Sequence, residues 1–99
     1  MQSNTSNLIS LVITQDSIGN SIKTETSTTI FVDEYSIGAK EFYSAAQSGF
    51  RPDILLKTFV GNYNNQTLVD YKGKRYTIYR TFIKGDVIEM YLTIYGKDR

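Results

Sequence analysis

Period-two alternation of apolar and polar residues runs through most of the chain. Over 8–14, Ile9, Leu11 and Ile13 fall on one side, with Ser10 and Thr14 on the other, which predicts a half-buried strand. Asp16-Ser17-Ile18-Gly19-Asn20 supplies turn residues, and a second extended run follows over 22–35. Its first half, Lys23-Thr24-Glu25-Thr26-Ser27-Thr28-Thr29, is polar on both sides and predicts an exposed ribbon, whereas Ile30-Phe31-Val32 is apolar enough to reach a core. Over 54–63, Leu55, Phe59 and Tyr63 alternate with Ile54, Leu56 and Val60, so both sides are apolar and the strand reads as central. Lys72-Gly73-Lys74 and Lys84-Gly85-Asp86 are hairpin tips between the last strands. The final strand, 87–95, points Ile88, Met90, Leu92 and Ile94 one way and Val87, Glu89, Tyr91, Thr93 and Tyr95 the other.

One segment breaks the alternation. Over 39–47, Phe42, Ala45 and Ala46 recur at helical spacing and predict a short helix with Phe42 in the core. Ser36 or Gly38 can cap its start, Glu41 lies in the first turn, and Gly49 suits a left-handed stop. Pro52 then holds Arg51 in extended geometry. The expected fold class is mainly β: a small antiparallel β-barrel of about six strands with one short inserted α-helix. The expected boundaries are a flexible polar N-terminal arm at 1–7, a single β-barrel domain at 8–95 and a short charged tail at 96–99.

At 99 residues the chain makes one domain. It has no cysteine and no histidine, which removes disulfides, thiolate ligands, the usual general base and the commonest metal ligand. Phosphate-loop, dinucleotide and metal-ligand spacings are absent from the sequence. Asp33 and Glu34 are neighbours, so on a strand they point to opposite faces. The expectation is a protein that is not an enzyme, with no catalytic, cofactor-binding or metal residue. A net charge of +1 offers no footprint for tight nucleic-acid or membrane binding. No apolar stretch approaches the ~20 residues of a membrane span, and the first residues lack the basic and apolar regions of a signal peptide. Tyr71, Tyr76, Tyr79, Phe82, Tyr91 and Tyr95 crowd the C-terminal hairpins with Arg75 and Arg80 among them. Such residues pair across strands and suit protein interfaces. They also suit a base-stacking platform on an oligonucleotide-binding-type barrel for single-stranded nucleic acid.

In order and spacing the chain resembles the head-closure (head–tail joining) proteins of long-tailed bacteriophages. The matching pieces are a first strand running into Gln15-Asp16-Ser17-Ile18-Gly19-Asn20, an extended strand, and Glu41-Phe42-Tyr43-Ser44-Ala45 on a short helix. The hairpin Tyr71-Lys72-Gly73-Lys74-Arg75-Tyr76-Thr77-Ile78 and the strand Ile88-Glu89-Met90-Tyr91-Leu92 complete the set. A Ser/Asn-rich start replaces the basic, helix-like start usual in that family. The resemblance implies a structural virion protein at the phage neck, assembled in the host bacterial cytoplasm. It implies a homo-oligomeric, dodecameric ring, monomeric alone, set between the portal/adaptor protein and tail proteins. The ring would close the filled capsid and offer the tail its attachment surface, with packaged double-stranded DNA passing through the channel and no membrane involved. It further implies that the connection after the second strand gates that channel. Here that connection is 36–53, with Ser36, Gly38, Lys40, Glu41, Tyr43, Gln47, Gly49 and Arg51 as candidates, and 16–22 as the lesser alternative. Lys40, Glu41, Arg51 and Asp53 cancel in charge, so this segment would stop DNA without gripping its backbone. Subunit or partner contacts are expected at Lys23, Glu25, Thr26, Lys72, Lys74, Tyr79 and Tyr91. The alternatives are the oligonucleotide-binding barrel above and another neck or tail-end assembly protein.

Overall fold

The computed structural model describes residues 2–95; the tail at 96–99, and the side chains of Gln2, Ser3, Leu11, Val12 and Ile13, lie outside the described residues. Six strands form: β1 (Gln2–Gln15), β2 (Ser21–Tyr35), β3 (Ile54–Phe59), β4 (Leu68–Tyr71), β5 (Lys74–Lys84) and β6 (Val87–Ile94). One helix, α1 (Ala39–Gln47), is inserted between β2 and β3, and a 3-10 turn, Val60–Asn62, follows β3. The strands close into a barrel in the order β1-β2-β3-β6-β5-β4, and every pairing is antiparallel. The expected fold class is therefore the observed one.

Turn chemistry sets the registers. Lys72 (φ 49) and Gly73 (φ 80) form a two-residue link with both central residues left-handed, the geometry that matches the twist of flanking strands. The other short link, Gly85-Asp86, places Gly85 at φ 63. In the β1–β2 turn the Asp16 carboxylate accepts hydrogen bonds from the Ile18 and Asn20 amides at 3.0 and 2.9 Å.

Alternation decides what fills the barrel. From β6, Ile88, Met90 and Leu92 point inward and are fully buried. They meet Leu8, Ile30, Val32, Leu56, Val69, Tyr71 and Tyr76 in a single cluster. The side of β1 that reaches this cluster carries Leu8, opposite Val69 on β4. Ile9 is buried too, on the other side of the strand and outside that cluster.

Three expectations change. The residues expected as a flexible arm form the first half of β1 from Gln2 onward, pairing with β2 from Gln2↔Glu34. Polar residues are held there by side-chain hydrogen bonds: Asn4 donates to the Tyr71 hydroxyl (2.9 Å), which donates to Glu34 (2.7 Å), and Thr29 donates to Asn7 (2.7 Å). The run expected as a strand over 54–63 stops at Phe59, where Val60–Asn62 turns away in 3-10 form. Phe42, expected in the core, is 47% exposed, and the buried side chain of α1 is Ala45. A nine-residue helix held to the barrel by a few side chains buries a narrow stripe, here Ala45 alone.

Candidate functional site

Two features depart from a plain barrel: the connection carrying α1, and a ribbon that leaves the barrel wall.

The connection opens with Ser36 exposed and Gly38 at the helix N-cap without any side-chain cap. Phe50 then returns its amide to the Ala45 carbonyl (2.9 Å), with Gly49 at φ 87. Lys40, Gln47 and Arg51 are exposed, and Tyr43 is 70% exposed. Glu41 is the docked member. Its carboxylate accepts the Tyr79 hydroxyl at 2.8 Å and two nitrogens of the Arg80 guanidinium, both from β5. The Phe50 ring stacks on Tyr79 with centroids 5.0 Å apart and an interplanar angle of 16°. Arg80 lies 4.2 Å over the Tyr91 ring, and Tyr91 donates to Glu89 at 2.6 Å. Lys57 pairs with Glu89 at 3.4 Å and sits 4.2 Å over the Tyr35 ring.

Electrostatics in this latch follow from those contacts. Burial raises the Glu41 pKa, but the hydrogen bonds from Arg80 and Tyr79 and the Arg80 charge outweigh it and leave it lowered. Burial and the Glu41 hydrogen bond push the Tyr79 phenol well up. Burial and the Glu89 hydrogen bond push Tyr91 up to about 12. All these phenols stay protonated and act as donors near neutrality. A local irregularity delivers Tyr79: the β5–β6 register shifts between Ile78 and Arg80, which re-aims Tyr79 toward the helix.

The ribbon is the outer part of the β1–β2 hairpin. β2 pairs with β1 from Ser21 to Glu34, yet among the described residues it pairs with β3 only at Asp33–Tyr35. On its other side β1 pairs with β4 only at Asn7–Ile9. The outer ribbon thus has open edges on both sides, and the molecule extends 50 × 29 × 25 Å. Residues 21–29 are all exposed, as their two-sided polarity predicts. Lys23 and Thr26 lie on this open stretch, while Glu25 is held by Arg75 at 2.9 and 3.1 Å. Arg75 also binds Asp70 and so ties the ribbon to β4 and β5. Lys74 stands exposed at the 72–73 tip, and Lys72 reaches Glu34 at 3.3 Å.

Of the residues expected to act, the structure gathers Glu41, Tyr79 and Tyr91 into one cluster; Lys72 and Lys74 sit elsewhere, and Lys23, Glu25 and Thr26 are on the ribbon. The sequence reading missed Phe50 and Arg80 as latch residues. It also missed a groove of about 730 Å³ where β2 parts from β3, lined by Phe31, Phe59 and Val87 among others. Phe31, 76% exposed, had one available signal, its place between Ile30 and Val32 in the alternation of its strand; Phe59, 59% exposed, had none, because both sides of its strand are apolar. Among the described residues no group of three or more His, Cys, Asp or Glu could hold a metal, and no helix is long and apolar enough to cross a membrane. No family model and no curated protein matches the chain.

Proposed function

We propose that the chain is a structural virion protein that forms a ring at the phage neck, between portal/adaptor and tail. There it closes the DNA-filled capsid and presents the tail attachment surface. The observation that carries the reading is the way the 36–53 connection is held. It is charge-balanced, buries Ala45 alone from its helix, and is held at the helix by the Glu41 carboxylate and beyond it by the stacked Phe50 ring, with Asp53 joined to β6 at its end. Such a segment is ordered on the barrel yet releasable at small free-energy cost, which a reversible block on DNA needs. The open-edged ribbon supports the same reading, since rings are built from two unlike surfaces whose rotation closes.

The oligonucleotide-binding reading fits less well. One face of Tyr79 is covered by Phe50 and one face of Tyr91 by Arg80, so the aromatic crowd has spent stacking surface on its own latch. Composition analysis of purified virions, with antibody labelling in the electron microscope, tests the proposal. Labelling at the neck supports it, and particles lacking the polypeptide refute it.

A further inference from the structure

From the composition and pairing of the first strand we infer that residues 2–6 form a strap. It opens on a hinge at Asn7 while the barrel stays folded, and so covers or bares an edge of β2. The inference stands apart from the ring reading and needs no neck.

Three observations carry it. The run Gln2-Ser3-Asn4-Thr5-Ser6-Asn7 brings no apolar side chain of its own to the core. The strap is also flanked on one side only. β1 pairs with β4 at Asn7, Leu8 and Ile9, and β4 ends at Tyr71, so among the described residues no strand flanks 2–6 on the side away from β2. Finally, the Ser6 hydroxyl is buried and makes no hydrogen bond. A buried polar group without a partner favours the state in which water reaches it, and that state is the open strap.

Opposing the opening are the ladder to β2 and one side-chain tie across the barrel. The Asn4 amide donates to the Tyr71 hydroxyl at 2.9 Å, and that hydroxyl donates to Glu34 at 2.7 Å. Glu34 takes the single phenolic proton, which leaves the Tyr71 oxygen to accept from Asn4. The hinge is firmer than the strap. Asn7 pairs with Thr29 on one side and Asp70 on the other, and its side chain accepts the Thr29 hydroxyl at 2.7 Å. The next residue, Leu8, is fully buried in the barrel cluster.

The covered edge has a definite chemistry. The Thr58 hydroxyl donates to the Phe31 carbonyl, so the Phe31 backbone is turned toward β3. Alternation then turns the Ile30 and Val32 amides toward β1, opposite Ser6 and Asn4. The Ile30 and Val32 side chains belong to the buried cluster. Opening therefore bares strand-pairing groups beside apolar ones, the kind of edge to which extended segments add. The closed strap is an internal cover for it.

The cysteine-free chain makes a clean test possible. Full-length Ser6→Cys protein is reacted with a maleimide at urea concentrations below the unfolding transition. Full-length Val69→Cys, at a fully buried position opposite Leu8, is the barrel reference. Local opening exposes little surface, so Ser6→Cys should label at least about tenfold faster, at a rate nearly flat in urea. Val69→Cys should show the steep urea dependence of global unfolding. Adding Asn4→Ala should speed Ser6→Cys labelling about three- to tenfold, the loss of one hydrogen bond. In the unsubstituted protein the Ile30 and Val32 amides should exchange with the same flat urea dependence, while the Met90 amide follows global unfolding. Equal rates and slopes for Ser6→Cys and Val69→Cys overturn the strap. Steep urea dependence at Ile30 and Val32 overturns it too, and needs no substituted protein to fold. A labelling rate untouched by Asn4→Ala overturns the tie through Tyr71.

Discussion

Removing the Glu41 carboxylate should release α1 from the barrel without unfolding the barrel. Glu41 on α1 makes polar contact with β5, through Tyr79 and Arg80. A hydrogen bond to a charged group contributes about 1.5–3 kcal/mol, which applies to the half-buried Tyr79–Glu41 bond. The Arg80 side chain is 44% exposed, so screening reduces its ion pair to about 0.2–1 kcal/mol. Allowing for water replacing part of these contacts, Glu41→Ala should cost about 2 kcal/mol of docking, or about a 30-fold larger undocked population. Hydrogen exchange reads this directly: α1 amides should exchange about 30-fold faster while β6 amides keep their protection. Glu41→Gln keeps an acceptor for Tyr79 and loses the charge, so its effect should be several-fold smaller. Glu41→Ala exchange in α1 equal to the parent would refute the latch. Equal acceleration in β6 would refute its being local.

Other outcomes follow from the same contacts. Phe42→Ala should change the unfolding free energy measured in urea little, by under about 0.5 kcal/mol, because Phe42 lies half in solvent; a loss of several kcal/mol would show it packed. Tyr71→Phe deletes the hydroxyl between Asn4 and Glu34 in a buried side chain and should cost about 1–3 kcal/mol by urea unfolding. Acid should also destabilise the fold. Hydrogen bonds lower Glu34 (from Tyr71), Asp70 (from Arg75) and Glu89 (from Tyr91). Their stabilisation is complete above the ordinary carboxylate values of 3.8 and 4.5 and is lost as pH falls through the lowered ones. The melting temperature should therefore hold steady from neutrality to about pH 5 and fall below pH 4, with the drop reduced in Tyr71→Phe.

The barrel was legible in the sequence where alternation had one polar side. The inward row Ile88, Met90 and Leu92, the exposed ribbon and the left-handed glycines Gly49 after α1 and Gly73 at a hairpin tip all follow from period and turn chemistry. What escaped was non-local. Residues 2–7 look like a solvated arm because their strand partners, β2 and β4, are far away in sequence. Phe42 looks like a core residue because helical spacing shows which residues share a face, and not how much of that face a thin contact covers. The latch depends on a register shift at Tyr79, and the groove on β3 ending at Phe59 while β2 runs on; neither break has a signature in composition or period. The gate, the ring and the neck rest on the resemblance, and the latch geometry is their physical support.

A density map of the assembled neck before and after DNA release tests the central claim most directly. The account predicts a ring of this barrel around the channel, with residues 36–53 crossing the bore while DNA is held and lying against β5 through Glu41 once it has left. A neck built from other chains, or a ring in which 36–53 faces outward in both states, would contradict it.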